Sequence, residues 1–301
     1  MTETRRTNLF ALLFFIYFIG VSFGLAYIPA LSALSDGTYM LLAQVICFLP
    51  PVVLYFVITK KDVKQTLRLN PLGWKNILIM LSFGVSIQPL MSLLSYVTAL
   101  FFPNPVEQSM DGIQASGFLL SMLSVAIIPA VLEEVFSRGI LLSGYSFLGK
   151  KRAAFVCALL FGLLHLNPQQ LPYAFVVGFI FCFLVERTDS LYASILPHMV
   201  INGTTIFSIF ADETAAAAET AAMAAEMSES MILVYLFLMA LISIPWLAVL
   251  LFLFLKINPP REEIVLMDEN GGVYQERFLS PSIITIFAIY AVFGLLPYLI
   301  S

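Results

Sequence analysis

Charge is what this sequence has least of. Only 11% of its 301 residues are Asp, Glu, Lys or Arg and 60% are hydrophobic, with a mean hydropathy of +0.95. A chain so poor in charge cannot cover an ordinary water-soluble domain, so several membrane spans are required. Nothing in it suggests nucleic acid as a partner. The formal net charge of −4 carries little information, because in a membrane protein the placement of Lys and Arg is what matters. Cysteine is scarce and odd in number. Cys47, Cys157 and Cys182 all lie in apolar runs, so they read as packing residues and indicate neither a disulfide framework nor a thiolate metal site. Histidine occurs only twice, which makes its positions informative.

The long apolar runs carry the organisation. Arg5 and Arg6 precede a run reaching about Ala33; a secretory signal has an apolar region of about 7–15 residues, so this longer run reads as a retained first span. Nine runs are near the length of about 20 residues needed to cross hydrocarbon: 8–31, 38–59, 76–102, 117–147, 153–167, 172–186, 190–210, 231–255 and 281–300. They predict an all-α polytopic transmembrane helical bundle of eight or nine spans, one transmembrane domain over 1–301. The fifth and sixth are short, which suits a partial or tilted crossing.

Under strict alternation every Lys and Arg between spans falls on one side, from Arg5 and Arg6 through Lys60–Lys75, Lys150–Arg152 and Arg187 to Lys256, Arg261 and Arg277. The other side carries Asp36, Glu107, Asp111, Asp212, Glu213, Glu219, Glu226 and Glu229 but no cation. The positive-inside rule then predicts a multi-pass protein of the cell membrane with a cytoplasmic amino terminus and an external carboxyl terminus. An Ala/Glu/Met-rich stretch, 211–230, reads as an external linker of high helix propensity. A second soft stretch, 256–280, reads as a cytoplasmic loop with a short hairpin at Asn270-Gly271. Pro50, Pro51, Pro89, Pro129 and Pro245 lie inside spans, where each removes a backbone donor. Pro129 is one turn before the only cluster of charge within a span.

That cluster is Glu133-Glu134-Val135-Phe136-Ser137-Arg138. Charges in hydrocarbon cost roughly 2.5–3.5 kcal/mol each on insertion scales, so a cluster of them marks a functional site by default. The remaining intramembrane polar groups are His165 in the fifth span and His198 with Asn202 in the seventh. At about 1.5 Å per residue, Glu133 stands about 24 Å above Gly149, His165 about 20 Å above Arg152, and His198 about 15 Å above Thr188. Three spans thus offer polar groups to one slab.

Glu134 and Arg138, four apart, form a natural ion pair. Glu133 points about 100° away and is left free to act as a general base. His198 and Asn202 share a helical face as a donor pair, and Phe161 shares one with His165 and reads as a packing residue shaping the cavity. A base, a second imidazole and a donor pair are the parts needed to activate water and stabilise an oxyanion. Buried Glu and His also serve proton relays, so a proton-coupled transporter is the rival reading, and a non-catalytic membrane scaffold is a third.

Glu133-Glu134-Val135-Phe136-Ser137-Arg138 resembles an EExxxR motif, Phe161-Gly162-Leu163-Leu164-His165 an FxxxH motif and His198-Met199-Val200-Ile201-Asn202 an HxxxN motif. In that order and spacing they resemble the CAAX protease and bacteriocin-processing enzyme (CPBP, or Abi) family, over a core of about 117–210. The resemblance implies an intramembrane endopeptidase, with a membrane-associated peptide or protein and the lipid bilayer as its partners. Glu133 and His165 would activate water, His198 and Asn202 would stabilise the oxyanion, and Glu134 and Arg138 would build the site. Family members have been described both as metalloproteases and as glutamate-dependent enzymes. Glu133, His165 and His198 would be the ligands of a zinc ion, but no HExxH is present, and the glutamic type without a metal cofactor is the favoured expectation.

Overall fold

The computed structural model describes residues 1–103, 110–211, 227–261 and 276–299. Among the described residues nine long helices carry the fold: α1 (Glu3–Ala26), α2 (Asp36–Thr59), α3 (Trp74–Ala99), α4 (Phe118–Gly144), α5 (Lys150–Leu164), α6 (Leu171–Thr188), α7 (Tyr192–Ala211), α8 (Glu229–Ile257) and α9 (Pro281–Leu299). All but α5 are long and apolar enough to cross a membrane, and no strand occurs among the described residues. The chain is an all-α, multi-pass integral membrane protein, as its apolar runs predict.

Local chemistry sets the ends. The side chains of Thr2, Ser35 and Ser228 accept a backbone N–H in the first turns of α1, α2 and α8, satisfying donors that a helix start leaves open. Lys60 and Asp189 close α2 and α6 in the left-handed conformation, with φ of 55° and 54°. A break at Ile87, just ahead of Pro89, divides α3 into two segments.

The fifth run departs from its expected bounds of 153–167. The helix spans Lys150–Leu164 and stops there, with His165 as its cap and Leu166 left-handed at φ 50°. Pro168 disfavours a helical Asn167 before it, so the chain turns instead of continuing. Fifteen residues rise about 22 Å, short of the roughly 30 Å of hydrocarbon. His165 therefore sits at a helix end inside the bundle rather than mid-helix.

Contacts sort the connections onto two ends of the bundle. At one, Lys61 pairs with Glu3, Arg68 Nη2 lies 2.8 Å from Glu186 Oε1 and Arg261 Nη1 lies 3.0 Å from Asp189 Oδ2, and Lys150 Nζ donates to the Arg261 carbonyl. At the other, Gly37 N donates to Ser116 Oγ, Gln169 Nε2 to Ser95 Oγ and Tyr298 OH to Asn167 Oδ1. The cationic connections thus gather at one end. The expected hairpin at Asn270-Gly271, Glu107 and residues 212–226 of the linker lie outside the described residues.

Aromatic packing joins the first two helices to the motif-bearing helix. Phe136, fully buried, stacks on Phe14 of α1 at 3.7 Å between ring centroids and meets Phe48 of α2 edge-on at 6.2 Å. Near the cationic end, buried Asn8 donates to the Phe278 carbonyl (2.8 Å) and Ser280 Oγ (2.9 Å) and accepts from Tyr145 OH (2.9 Å). It ties α1, the end of α4 and the start of α9 together. Replacing Asn8 by Ala strands these partners and is expected to cost about 1–3 kcal/mol. Thermal unfolding in detergent measures it, and Tyr145→Phe added to Asn8→Ala should cost less than it does alone.

Candidate active site

Glu133 and Glu134 close a short α-helical segment, Ile128–Glu134, that lies between two π-helical stretches of α4, Met122–Ile127 and Val135–Leu141. Pro129 starts that segment, so its missing donor falls where the preceding wide turn has already shifted the backbone pairing. A π turn inserts a residue into a helix and is often found at functional sites. The result here is that both glutamates and Arg138 project from one locally rewound stretch.

Glu134 is the junction. Its Oε1 accepts from Arg138 Nη1 at 2.9 Å and from His198 Nδ1 at 2.8 Å, and the side chains of Glu134 and Arg138 are both 0% exposed. The i,i+4 ion pair expected from spacing is present, while the bond to α7, 64 residues away, is an addition that spacing within one helix cannot reveal. The guanidinium is flanked by two rings, with Cζ 4.2 Å from the centroid of Phe161 and 5.4 Å from that of Phe181. Gly178 makes room for it. A Cβ there would lie 3.0 Å from Arg138 Nη2 and 3.3 Å from Ala158 Cα, so any larger residue would push α6 off both Arg138 and α5.

The Nδ1 bond fixes His198, since a carboxylate oxygen can only accept and Nδ1 must carry the proton. The other nitrogen, Nε2, then faces Glu133 Oε2 at 4.0 Å. Glu133 keeps 12% of its side chain exposed where Glu134 keeps none. Of the two carboxylates, Glu133 is the one a small molecule can reach.

His165 approaches from the end of α5. Its Nδ1 donates to the Phe161 carbonyl at 2.9 Å, which leaves Nε2 with the lone pair in the neutral ring. The phenyl of Phe161 meets the His165 ring edge-on at 5.0 Å and the His198 ring at 6.2 Å. One phenyl therefore touches Arg138, His165 and His198, so α5 contributes Phe161 as the surface on which the polar groups are set.

Asn202 lies on the face of His198, as its spacing predicts, but it is not idle. Its Nδ2 donates to the Val125 carbonyl at 3.0 Å, within the first π stretch of α4. Both members of the expected donor pair thus have an acceptor on α4, and each amide or imidazole has one further N–H or nitrogen to offer. Phe181, Gly178 and the Val125 carbonyl are the residues of the site with no signature in the sequence; each is defined by what it faces across a helix interface.

Among the described residues no three His, Cys, Asp or Glu side chains are grouped so as to hold a metal ion. The set Glu133, His165 and His198 does not form a three-donor site in this arrangement. What the geometry offers is a partly exposed carboxylate, Glu133, facing the imidazole of His198, with His165 joined to the same cluster through the ring of Phe161, and each imidazole has Nδ1 engaged.

Residues 115–204 match the family model described as type II CAAX prenyl endopeptidase Rce1-like. The match contains all three motifs, from Glu133 to Asn202, and agrees with the resemblance they carry. No curated protein and no solved structure matches the chain.

Replacing Arg138 by Met leaves Glu134 buried without its charge partner, and is expected to lower stability by about 3–5 kcal/mol. Adding Glu134→Gln removes the orphaned charge and should restore part of the loss. Unfolding of the purified single and double variants in detergent compares them.

Proposed function

We propose that this CAAX-endopeptidase-like core, held in a bundle of membrane-spanning helices, hydrolyses a peptide bond of a membrane-associated substrate. The observation that carries the reading is the convergence of Glu133, with part of its carboxylate accessible, on the Nε2 of His198 within a buried cluster drawn from α4, α5 and α7. In this reading Glu133 takes the proton of a water molecule that also donates to His165 Nε2. The hydroxide attacks the carbonyl carbon and a tetrahedral intermediate forms. His198, protonated at Nε2, and the second N–H of Asn202 donate to its oxygen. Glu134 holds His198 in the required tautomer and supports its positive charge, as a buried carboxylate orients an imidazole in other hydrolases. Arg138 balances the charge of the Glu134 carboxylate where both side chains are fully buried. The leaving amine takes its proton back from Glu133.

The substrate of this reading is a peptide anchored at the bilayer by a prenyl group, as in CAAX processing, or by its own apolar leader, as in bacteriocin processing. The cationic end of the bundle faces the cytoplasm of a cell membrane, with the amino terminus inside and the carboxyl terminus outside. Single cysteines placed at Lys64 and at Ser32, in a chain otherwise free of cysteine, should be labelled by an impermeant maleimide from opposite faces of intact cells.

Two measurements test the chemistry. Full chain in lipid nanodiscs, offered a quenched-fluorescent library of apolar peptides with and without farnesyl-cysteine, should release fluorescence. Glu133→Gln should lower the rate by at least about a hundredfold, the scale of lost general-base catalysis; an unchanged rate would remove Glu133 from the role of base. Chelation should leave the rate unaltered, whereas loss to a chelator and recovery with zinc would assign the water's activation to a metal.

A further inference from the structure

Among the described residues, an amide of α2 has a buried oxygen and no hydrogen-bond partner. Gln44 is the single amide side chain of α2, in a helix otherwise apolar from Met40 to Leu54. Its Oε1 is buried without a hydrogen-bond partner. Nor is Gln44 among the described residues that bond to anything else. In a membrane bundle a polar side chain usually finds a neighbouring helix to bond, and an uncompensated one is expensive to keep. Nothing among the described residues bonds to this amide.

Its height is set by the pairing of α2 with α4. The two helices run in the same direction: Gly37 lies against Ser116 and Leu120 near their starts, Phe48 meets Phe136 at 6.2 Å, and Val52 and Ile140 share one apolar core nearer their ends. Gln44 is one turn before Phe48 and Leu132 is one turn before Phe136. Gln44 therefore stands level with Leu132 and Glu133, on the side of α2 that carries Phe48 toward α1 and α4. Phe18, Val21, Leu132 and Leu166 pack against the same core and are only partly buried, so the side chains around Gln44 are less tightly enclosed than Phe14, Phe48 and Phe136, which are 0–1% exposed.

Resting on the peptidase reading above, we propose that Gln44 is a substrate-binding residue whose side-chain amide pairs with a backbone amide of the bound peptide, holding it at the depth of Glu133. A glutamine amide has one acceptor group and a donor group side by side, the complement of the C=O and N–H of a peptide backbone. It accepts any side chain on the substrate, and fixes the chain's height instead of its sequence. Gln44 is a positioning residue in this scheme and takes no part in proton transfer.

The test uses full chain in nanodiscs and the fluorescent peptide library, with binding read separately from cleavage. In a Glu133→Gln background, Gln44→Leu or Gln44→Met should weaken peptide binding about tenfold, the scale of one to two lost hydrogen bonds. The unfolding temperature should stay the same or rise, because the fold loses no bond. In the otherwise native chain the same change should raise KM with little effect on kcat. Unchanged binding overturns the proposal, as does weaker binding accompanied by a fall in unfolding temperature, which would mark Gln44 as structural. If the unaltered protein cleaves nothing but binds peptide in a Gln44-dependent way, the peptidase reading fails and the binding site stands. If it binds none of the peptides, both fail.

Discussion

The oxygen Oε1 of Glu134 holds two helices in one relation, because Arg138 from its own helix and His198 from α7 both donate to it inside a buried interface. A buried carboxylate is tolerable only with its charge balanced. Arg138 balances the charge, and the two donors to Oε1 also set how α4 and α7 face each other, while Oε2 has no hydrogen-bond partner among the described residues. Arg138 fills the space between Phe161 and Phe181, which brings α5 and α6 against α4. His198 is turned so that its far nitrogen points at Glu133. The orientation of the site and the packing of four helices are consequences of one desolvated junction.

Around that junction the backbone is adjusted twice. The two π stretches of α4 place Val125 and Arg138 on either side of the glutamates, and each sends a group to another helix: the Val125 carbonyl takes Asn202, and Arg138 meets the rings of α5 and α6. Gly178 permits the second contact by having no side chain. The same stretch is held from behind by Phe136, stacked on Phe14. This is how helices outside the motif-bearing core, α1 and α2, bear on the site.

Much of the architecture could be read from the chain. Of the nine apolar runs, eight correspond to helices long enough to cross among the described residues, and the one-sided distribution of Lys and Arg corresponds to a cationic end built from Lys61, Arg68, Lys150 and Arg261. The pair Glu134–Arg138 and the shared face of His198 and Asn202 followed from a four-residue repeat. What was not legible depends on relations between helices. The bond from His198 to Glu134 crosses 64 positions, the ring of Phe161 becomes a common platform only when α5 meets α4 and α7, and Gln44 is one polar residue in an apolar run until its lack of a partner is known. The early stop of α5 was written locally, in Asn167-Pro168, but hydropathy alone carries the apolar run past it.

That early stop has a geometric consequence. An upright helix of 15 residues leaves about 8 Å of the hydrocarbon thickness unfilled above His165, and the turn to α6 fills it with Asn167 and Gln169, both buried. Irregular backbone at such a depth survives only where protein or water surrounds it. Protein surrounds it here, because Gln169 donates to Ser95 Oγ and Asn167 Oδ1 accepts from Tyr298 OH, so the shortness of α5 is made up by polar side chains of α3, α9 and the turn itself.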